Sequence, residues 1–389
     1  MNQSDFLTAR DAAARLGVKL DTLYAYVSRG LLRSVAVPGS RERHYRRRDI
    51  EAFLAARGSG RAATEPNGEP AMTAIDSAIS LIESGRLYYR GRDAVRLSDS
   101  ATLEEVAALL WGAKLEPTAG GTESEAGAPS VSTDLIARCQ VRLAMMAADS
   151  PPLVDLPRPA LLGAGQRILR EIVGCLAEGQ RKVLPAHRQL ASYWRLGDTG
   201  ADLVRRCLVL IADHELNTST LAARCVASTG APLAAVVSAA LGALSGPRHG
   251  GAAARVEALF RAARRNGDPF MTIASRLARG EELPGIGQPL YPDGDPRAVA
   301  ILYALSLTVP QARRLVGHHP NVDFALAAVA TALDLPPGAA LGLFVVGRTV
   351  GWIAHAIEQY DSGILIRPRA RYTGLRPKAA PDETAGISD

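Results

Sequence analysis

The sequence predicts an all-α fold preceded by a small basic module, and three observations predict it. Ala, Leu, Arg and Gly dominate while aromatic residues make up only 5% of the chain, and Ala, Leu and Arg lose little freedom on entering a helix. The long apolar segments carry a helical repeat rather than strict alternation. Positive charge is gathered at one end: up to Arg61, twelve basic residues face six acidic ones, an excess equal to the net charge of +6 of the whole chain. With 47% hydrophobic residues over 389 positions, the chain can bury a large core in two or three domains, and global disorder is excluded. A neutral body with a basic end suggests a polyanion-binding module attached to something with another task.

The N-terminal unit covers residues 1–56. Thr8-Ala9-Arg10-Asp11 precedes an Ala-rich segment and offers it a cap, and Gly17 ends that helix. A second helix, from about Leu20 to Arg29, puts Leu20, Leu23 and Val27 on one face and Asp21, Thr22, Tyr26 and Arg29 on the other, with Gly30 closing it. Two helices joined by a Gly-containing turn form a helix-turn-helix pattern. Leu31 to Val37, a Pro38-Gly39-Ser40 turn and the run Arg41 to Arg48 predict a short hairpin with a basic second strand, a wing, and a helix over 49–56 closes the unit. Phosphates call for cationic side chains such as Arg43 and Arg46 at the wing, and base edges call for a helix that fits the major groove, here offering Thr22, Tyr26 and Arg29. The stretches Leu7 to Ala13 and Thr22 to Leu31 resemble the MerR/excisionase type of winged helix-turn-helix, which implies DNA as a partner.

Residues 57–71 contain almost no large apolar side chain and read as a linker. Helical patterns follow over 102–111, 201–213, 232–244, 297–306, 322–333 and 338–359. A Pro/Gly/Ser/Thr-rich loop interrupts them at 116–132, a second break falls near 150–158, and the composition between 113 and 160 reads as a trimmed core. Strand signals are scarce. The longest apolar stretch, Ala339 to Ile357, is broken by Arg348 and His355 and predicts a core helix rather than a membrane span. Beyond Arg369 the chain turns polar, and residues 376–389 read as a frayed tail. Cys139, Cys175, Cys207 and Cys225 show neither CxxC nor metal spacing, so free thiols in a reducing compartment and no metal site are expected. The first residues lack the basic and apolar blocks of a signal peptide, and a cytoplasmic location follows as the expectation.

Four stretches carry candidate chemistry: Asp213 to Thr220, Ser245 to Gly251, Pro284 to Arg297, and Asn321-Val322-Asp323 followed by Gly347-Arg348-Thr349 and Ile366 to Arg369. The loop Gly246-Pro247-Arg248-His249-Gly250-Gly251 holds a histidine on a tight turn, where backbone can approach a ligand closely. Arg297, Arg348 and Arg367, two histidines and one aspartate are the inventory for one task. Arginine forks bind a dicarboxylate, a carboxylate removes a proton alpha to a carbonyl, and a neutral imidazole N–H stabilises the resulting enol.

In order and wording these stretches, with Gly85-Arg86-Leu87-Tyr88-Tyr89-Arg90-Gly91 and Leu103 to Gly112, resemble the citrate synthase family over about residues 72–375. The resemblance implies an α-helical homodimer. Each subunit has a large domain (72–251 and 331–375) and a small one (252–330) that close over oxaloacetate and acetyl-CoA, both substrates, with no further cofactor. It implies Asp323 as the base that takes a methyl proton from acetyl-CoA, His249 as the imidazole on the thioester oxygen, and Ser219 as the hydroxyl that orients it. His214, Arg297 and Arg348 become oxaloacetate ligands, and Arg367 an arginine reaching the neighbouring subunit's site. Where the family carries a histidine on the attacked carbonyl, this chain has Gln288. A glutamine amide donates a hydrogen bond but cannot deliver a proton. Three outcomes stay open: a slow enzyme, an enzyme for a different 2-oxo acid, or a core that binds without turnover. In the last case the protein is a transcriptional regulator sensing a metabolite, or an inactive partner of a true citrate synthase.

Overall fold

The computed structural model describes residues 6–16, 18, 20, 23, 27, 34–36, 43–47, 50, 75–115, 134–150, 156–179, 184–368, 373 and 374. The chain divides into two units, Met1–Ile75 and Asp76–Asp389.

In the first unit, helix Ala9–Leu16 is capped as its sequence predicts: Thr8 Oγ1 accepts the Asp11 N–H at 3.2 Å and donates to Asp11 Oδ2 at 2.7 Å. Leu23 is fully buried, and Leu20 and Val27 pack beside it on a small core built from Leu7, Ala12, Ala13, Leu16, Tyr45 and Ile50. The predicted hairpin is present as Ser34–Ala36 paired antiparallel with Arg43–Arg46. A strand that the sequence did not announce, Phe6–Leu7, pairs with the other edge of Arg43–Arg46 and makes a three-stranded sheet. Arg43 and Arg46 are exposed, and Arg43 Nη1 donates to Ser34 Oγ at 2.9 Å. Thr22, Tyr26, Arg29, the linker 57–71, the loop 116–132 and the tail 376–389 lie outside the described residues.

The second unit begins with a feature that the expected all-helical body lacked. Ser80–Glu83, Arg86–Tyr89 and Arg92–Asp93 form an antiparallel meander. Both connections are two-residue turns, Ser84-Gly85 and Arg90-Gly91, with positive φ at both positions (51° and 72°, 44° and 79°). Such primed turns follow the right-handed twist of the strands. The rest is helical: Leu103–Trp111, Leu135–Ala148, Arg158–Leu176, Ala186–Tyr193, Asp198–Leu210, Thr218–Ala227, Leu233–Leu244, Gly251–Arg264, Pro269–Ala278, Pro296–Ser306, Val322–Ala332 and Ala339–Ser362, with a 3-10 turn at Pro310–His318. Each helical segment expected in this unit is present, although the one expected over 201–213 ends at Leu210, while most of the helices expected at 20–29 and 49–56 lies outside the described residues. Helix Leu135–Ala148 corrects the reading of 113–160 as merely trimmed: an Asp134 cap and the buried positions Ile136, Cys139 and Leu143 sustain it.

Helix Ala339–Ser362 is the axis of this unit. It is long and apolar enough to cross a membrane, yet nearly its whole length is buried inside the protein, where it serves as core. Three glycines let it lie against its neighbours. A Cβ at Gly342 would strike Leu176, one at Gly347 would meet Ile211 Cγ1 at 2.5 Å and Leu208 O at 2.8 Å, and one at Gly351 would strike Ala212 O and meet Asp213 Oδ1 at 2.5 Å. The chain from 208 to 213 is therefore pressed onto this helix beside Arg348.

Candidate active site

The end of helix Asp198–Leu210 delivers Asp213 and His214 to the central helix. Arg348 Nε donates to Ile211 O at 2.8 Å. The guanidinium is 1% exposed, and its Nη1 is buried without a hydrogen-bond partner. Burial pushes its pKa down to about 10, although Asp213 opposes the shift. Asp213 is fully buried; it accepts Ser80 Oγ at 2.5 Å and the Glu215 N–H at 3.2 Å. Its Oδ1 faces His355 Nε2 at 3.2 Å. Arg224 Nη1, which can only donate, lies 3.0 Å from His355 Nδ1. That nitrogen therefore accepts, which leaves the ring hydrogen on Nε2, the nitrogen beside Asp213, although the two make no well-aligned hydrogen bond.

His214 is buried with Nε2 3.0 Å from the Tyr291 hydroxyl. Burial, then the charges of Arg297 and Arg348, hold its pKa well below the usual histidine range, so the ring is neutral. Tyr291 stands in the loop that follows Gln288, and the Arg297 guanidinium lies 5.8 Å from its ring centre. Arg297 itself is held by Asp295 through two parallel bonds, Nε to Oδ1 at 2.9 Å and Nη2 to Oδ2 at 2.7 Å, with both residues buried. The same carboxylate caps helix Pro296–Ser306 by accepting the Arg297 N–H at 3.0 Å.

His249 sits where helix Gly251–Arg264 begins. Gly250 N donates to Leu244 O at 2.9 Å, and a Cβ on Gly250 would collide with that same oxygen, so the turn that presents His249 requires glycine. His249 Nε2 is 2.9 Å from Ser219 Oγ. Ser219, fully buried, also contacts Asn217 Oδ1 at 2.8 Å and receives the Trp352 indole N–H at 3.2 Å. The ring meets Phe344 edge-on at 6.1 Å, and the Arg348 guanidinium lies over the Phe344 ring, 4.8 Å from its centre. Burial and Arg348 push the His249 pKa down to about 4, which leaves a neutral imidazole at ordinary pH.

Asp323 occupies the first turn of helix Val322–Ala332, which Asn321 caps through its bond to Phe324 N at 3.2 Å. Burial raises its pKa to about 6 against the lowering effect of Arg297 and Arg348. The Gln288 loop is stitched to the segment leading into this helix: Gly287 N donates to His319 O and Asn321 N to Gly285 O, each at 2.8 Å. Gly285 has φ of 86°, and a Cβ there would meet Val256 Cγ2 at 2.8 Å. Gln288 is half-buried, and its backbone carbonyl accepts the Tyr291 N–H at 2.9 Å.

Of the residues singled out by sequence, His214, Arg297, Arg348, His249 and Asp323 thus share one electrostatic neighbourhood centred on Arg348, with Ser219 behind His249. Arg367 lies exposed on the segment after the central helix, apart from this cluster. Tyr291, Asp295, Phe344 and Trp352 went unnoticed. Asp295 alone had a readable signal, a carboxylate before Pro296 at a helix start.

Comparisons with known proteins identify the family. Residues 159–369 match the model of the citrate synthase C-terminal domain, and residues 6–58 match a helix-turn-helix domain. The "Putative citrate synthase 2" of Mycobacterium bovis is 39% identical over 189 residues, a match that takes in 44% of this chain and only about half (51%) of that protein. The citrate synthase of Haloferax volcanii is 31% identical over 355 residues, 77% of this chain and 93% of that one. Among solved structures, the citrate synthase of Thermoplasma acidophilum, in a ternary complex with carboxymethyl coenzyme A and oxaloacetate, superposes over 84% of this chain and 98% of its own with a TM-score of 0.61 at 23% identity, a likeness of fold. A family model matched over more than half the chain and a relative matched over nearly its full length lead to one conclusion: behind its N-terminal helix-turn-helix domain, this chain is a member of the citrate synthase family.

Proposed function

We propose that the protein condenses acetyl-CoA with oxaloacetate or a related 2-oxo acid, releasing citrate or its homologue and CoA, as a cytoplasmic homodimer. The observation that carries this reading is Arg348, a buried cation with one guanidinium nitrogen left without a protein partner. A buried donor in that state calls for an anionic ligand, and a dicarboxylate supplies one. Arg297 already grips Asp295, so it adds charge and a fixed edge rather than a free fork.

The remaining groups suit the chemistry. The Asp323 carboxylate removes the methyl proton; with its pKa raised to about 6 it is a stronger base than an ordinary aspartate yet ionised at pH 7. The neutral His249 donates Nδ1–H to the developing enolate oxygen once the Ser219 hydroxyl turns from Asn217 to donate to Nε2 and hold the ring. The enol carbon then attacks the keto carbon of the acceptor, which His214, Arg297 and Arg348 orient. Gln288 polarises that carbonyl with its amide but cannot protonate the alkoxide, which takes its proton from solvent water while Asp323 returns the methyl proton to solvent. Water cleaves the thioester and frees CoA. Arg367 contributes from the partner subunit. Carboxymethyl coenzyme A and oxaloacetate are the ligands of the Thermoplasma acidophilum citrate synthase with a similar fold, which supports this choice of substrates. In a thiol-release assay on the purified dimer, CoA appears only when oxaloacetate or another 2-oxo acid is present; folded protein that releases none with any acceptor removes this reading.

A second reading rests on a separate observation. Arg43 and Arg46 stand exposed on a sheet within the helix-turn-helix match. In this reading the protein binds DNA as a regulator, through these arginines and through Thr22, Tyr26 and Arg29, and the core senses its metabolite. Operator affinity measured at fixed salt with and without oxaloacetate and acetyl-CoA tests it, and unchanged affinity ends it.

A further inference from the structure

Two cysteines that take no part in the chemistry above lie on neighbouring helices. Cys139 is on Leu135–Ala148 and Cys175 on Arg158–Leu176, and these helices pack against each other. Their register is fixed by two side-chain contacts. Arg142 bonds Glu171, with Nη2 3.0 Å from the carboxylate, and Arg138 Nη2 donates to Cys175 O at 3.3 Å. Going four residues up one helix means going four residues down the other, so the pair is antiparallel and Cys139, next to Arg138, falls opposite Cys175. The two thiols lie close enough for each to shift the other's titration, Cys139 upward and Cys175 downward. Cys139 is fully buried, while Cys175 is half-buried, and both are reduced.

We propose that Cys139 and Cys175 form a reversible dithiol–disulfide site that clasps these two helices together. The class of oxidant is a hydroperoxide. The Cys175 thiolate attacks the distal peroxide oxygen, the O–O bond breaks, and a sulfenic acid forms as hydroxide or alkoxide leaves. The Cys139 sulfur, giving up its proton, then attacks the Cys175 sulfur; the S–O bond breaks and water leaves. Overall two thiols lose two electrons and two protons, and the hydroperoxide becomes water and an alcohol, or two waters where the oxidant is hydrogen peroxide. The asymmetry suits the order of events. The half-buried Cys175 meets the oxidant first, and its pKa is lowered chiefly by the neighbouring Cys139 thiol, with Arg142 and Arg138 adding to it. The buried Cys139, whose pKa is raised well above the usual thiol value, is shielded and serves as the resolving thiol. Two thiols set opposite each other on packed antiparallel helices can reach disulfide geometry without separating the helices. Cys207, fully buried and with its pKa pushed up to about 12, stays reduced.

The experiment uses the full-length protein under native conditions. It is titrated with hydrogen peroxide, quenched, denatured, assayed for free thiols, and mapped by mass spectrometry of non-reduced peptides. The expected result is a fall from four thiols to two, a single intrachain link between the peptides holding 139 and 175, and return to four with dithiothreitol. Cys139→Ser is expected to leave Cys175 as a sulfenic or sulfinic acid that a sulfenic-acid probe captures, whereas Cys207→Ser leaves the link intact. Retention of four thiols, or any product lacking the 139–175 link, overturns the proposal. So does a link that appears only in urea, since contact in the folded state is its whole basis.

Discussion

A carboxylate in the first turn of a helix feels two opposed influences, and Asp323 shows which one wins. The helix dipole and the neighbouring Arg297 and Arg348 favour its charge, the dipole by about 0.3–1 kcal/mol in ordinary settings. Burial disfavours the charge and prevails, raising the pKa from 3.8 to about 6. Since folding raises the pKa of this acid, its contribution to stability is full below the unfolded value of 3.8 and is lost as pH climbs through about 6. At pH 7–8 the ionised side chain therefore costs at most about 3 kcal/mol, taking about 1.4 kcal/mol per pKa unit. Asp323→Asn is expected to raise the thermal midpoint at pH 8, to leave it nearly unchanged at pH 3.5, and to abolish CoA release. A lower midpoint at pH 8 would assign Asp323 to structure. In the wild type, kcat/KM is expected to fall tenfold per pH unit below about 6 with no second break above 5, because His249 is neutral from about 4 upward. Gln288 is testable at the same scale. Losing one electrostatic donor costs about 10²–10³ in rate. A neutral amide recovers part of that, so Gln288→His is expected to raise kcat by about tenfold to a hundredfold in the thiol-release assay. No gain would mean that the half-buried side chain does not reach the carbonyl. Much of this residue-scale detail was legible, because a histidine in a Gly-rich loop and arginines in apolar runs are conspicuous. Tyr291 and Trp352 were not, because a single aromatic carries no spacing signal and acquires a role only when a distant residue meets it.

Among elements, helix Ala339–Ser362 does the positioning. Its glycines at 342, 347 and 351 read in sequence only as small residues in an apolar run, and the close approach they permit is a property of the packed pair. Gly351→Ala inserts a methyl group between the helix and Ala212 O and Asp213 Oδ1. Neither is the far end of a flexible chain, so the backbone at 212–213 must move. Overpacking of this kind costs about 1–3 kcal/mol, and the displacement passes directly to His214. The expected result is a lower urea midpoint together with a raised KM for the 2-oxo acid. A full loss of stability with KM unchanged would show that the 212–214 segment adjusts without moving the site. Helices such as Leu233–Leu244 and Ala339–Ser362 were readable because each carries an apolar run over three or more turns. The meander at 80–93 was missed because its strands are four residues or fewer. Alternation cannot accumulate over so short a run, and the signal lay instead in the repeated X-Gly turns at 84–85 and 90–91.

Taken as a whole molecule, the chain concentrates its net charge in the N-terminal unit, whose described residues offer no enzyme-like cluster, and its buried polar network in the second unit, which has almost no net charge. That division makes the two units separable by salt. Arg46 alternates with the buried Tyr45 and so leaves the strand on the face away from the small core, while Arg43 stands at the strand end tied to Ser34. Neither takes part in the hydrophobic packing of that unit, so their removal is expected to leave the fold intact. If they contact phosphates, each one lost removes about 0.9 from the slope of log affinity against log salt concentration. The double variant Arg43→Ala/Arg46→Ala is therefore expected to weaken binding to any duplex, to flatten the salt slope by about 2 on that rule, and to leave oxaloacetate-dependent CoA release unchanged. An unaltered slope would take the wing off the DNA. A variant that loses CoA release along with DNA affinity would show that the two units do not act independently, and the sensing reading would then gain over one of simple coexistence.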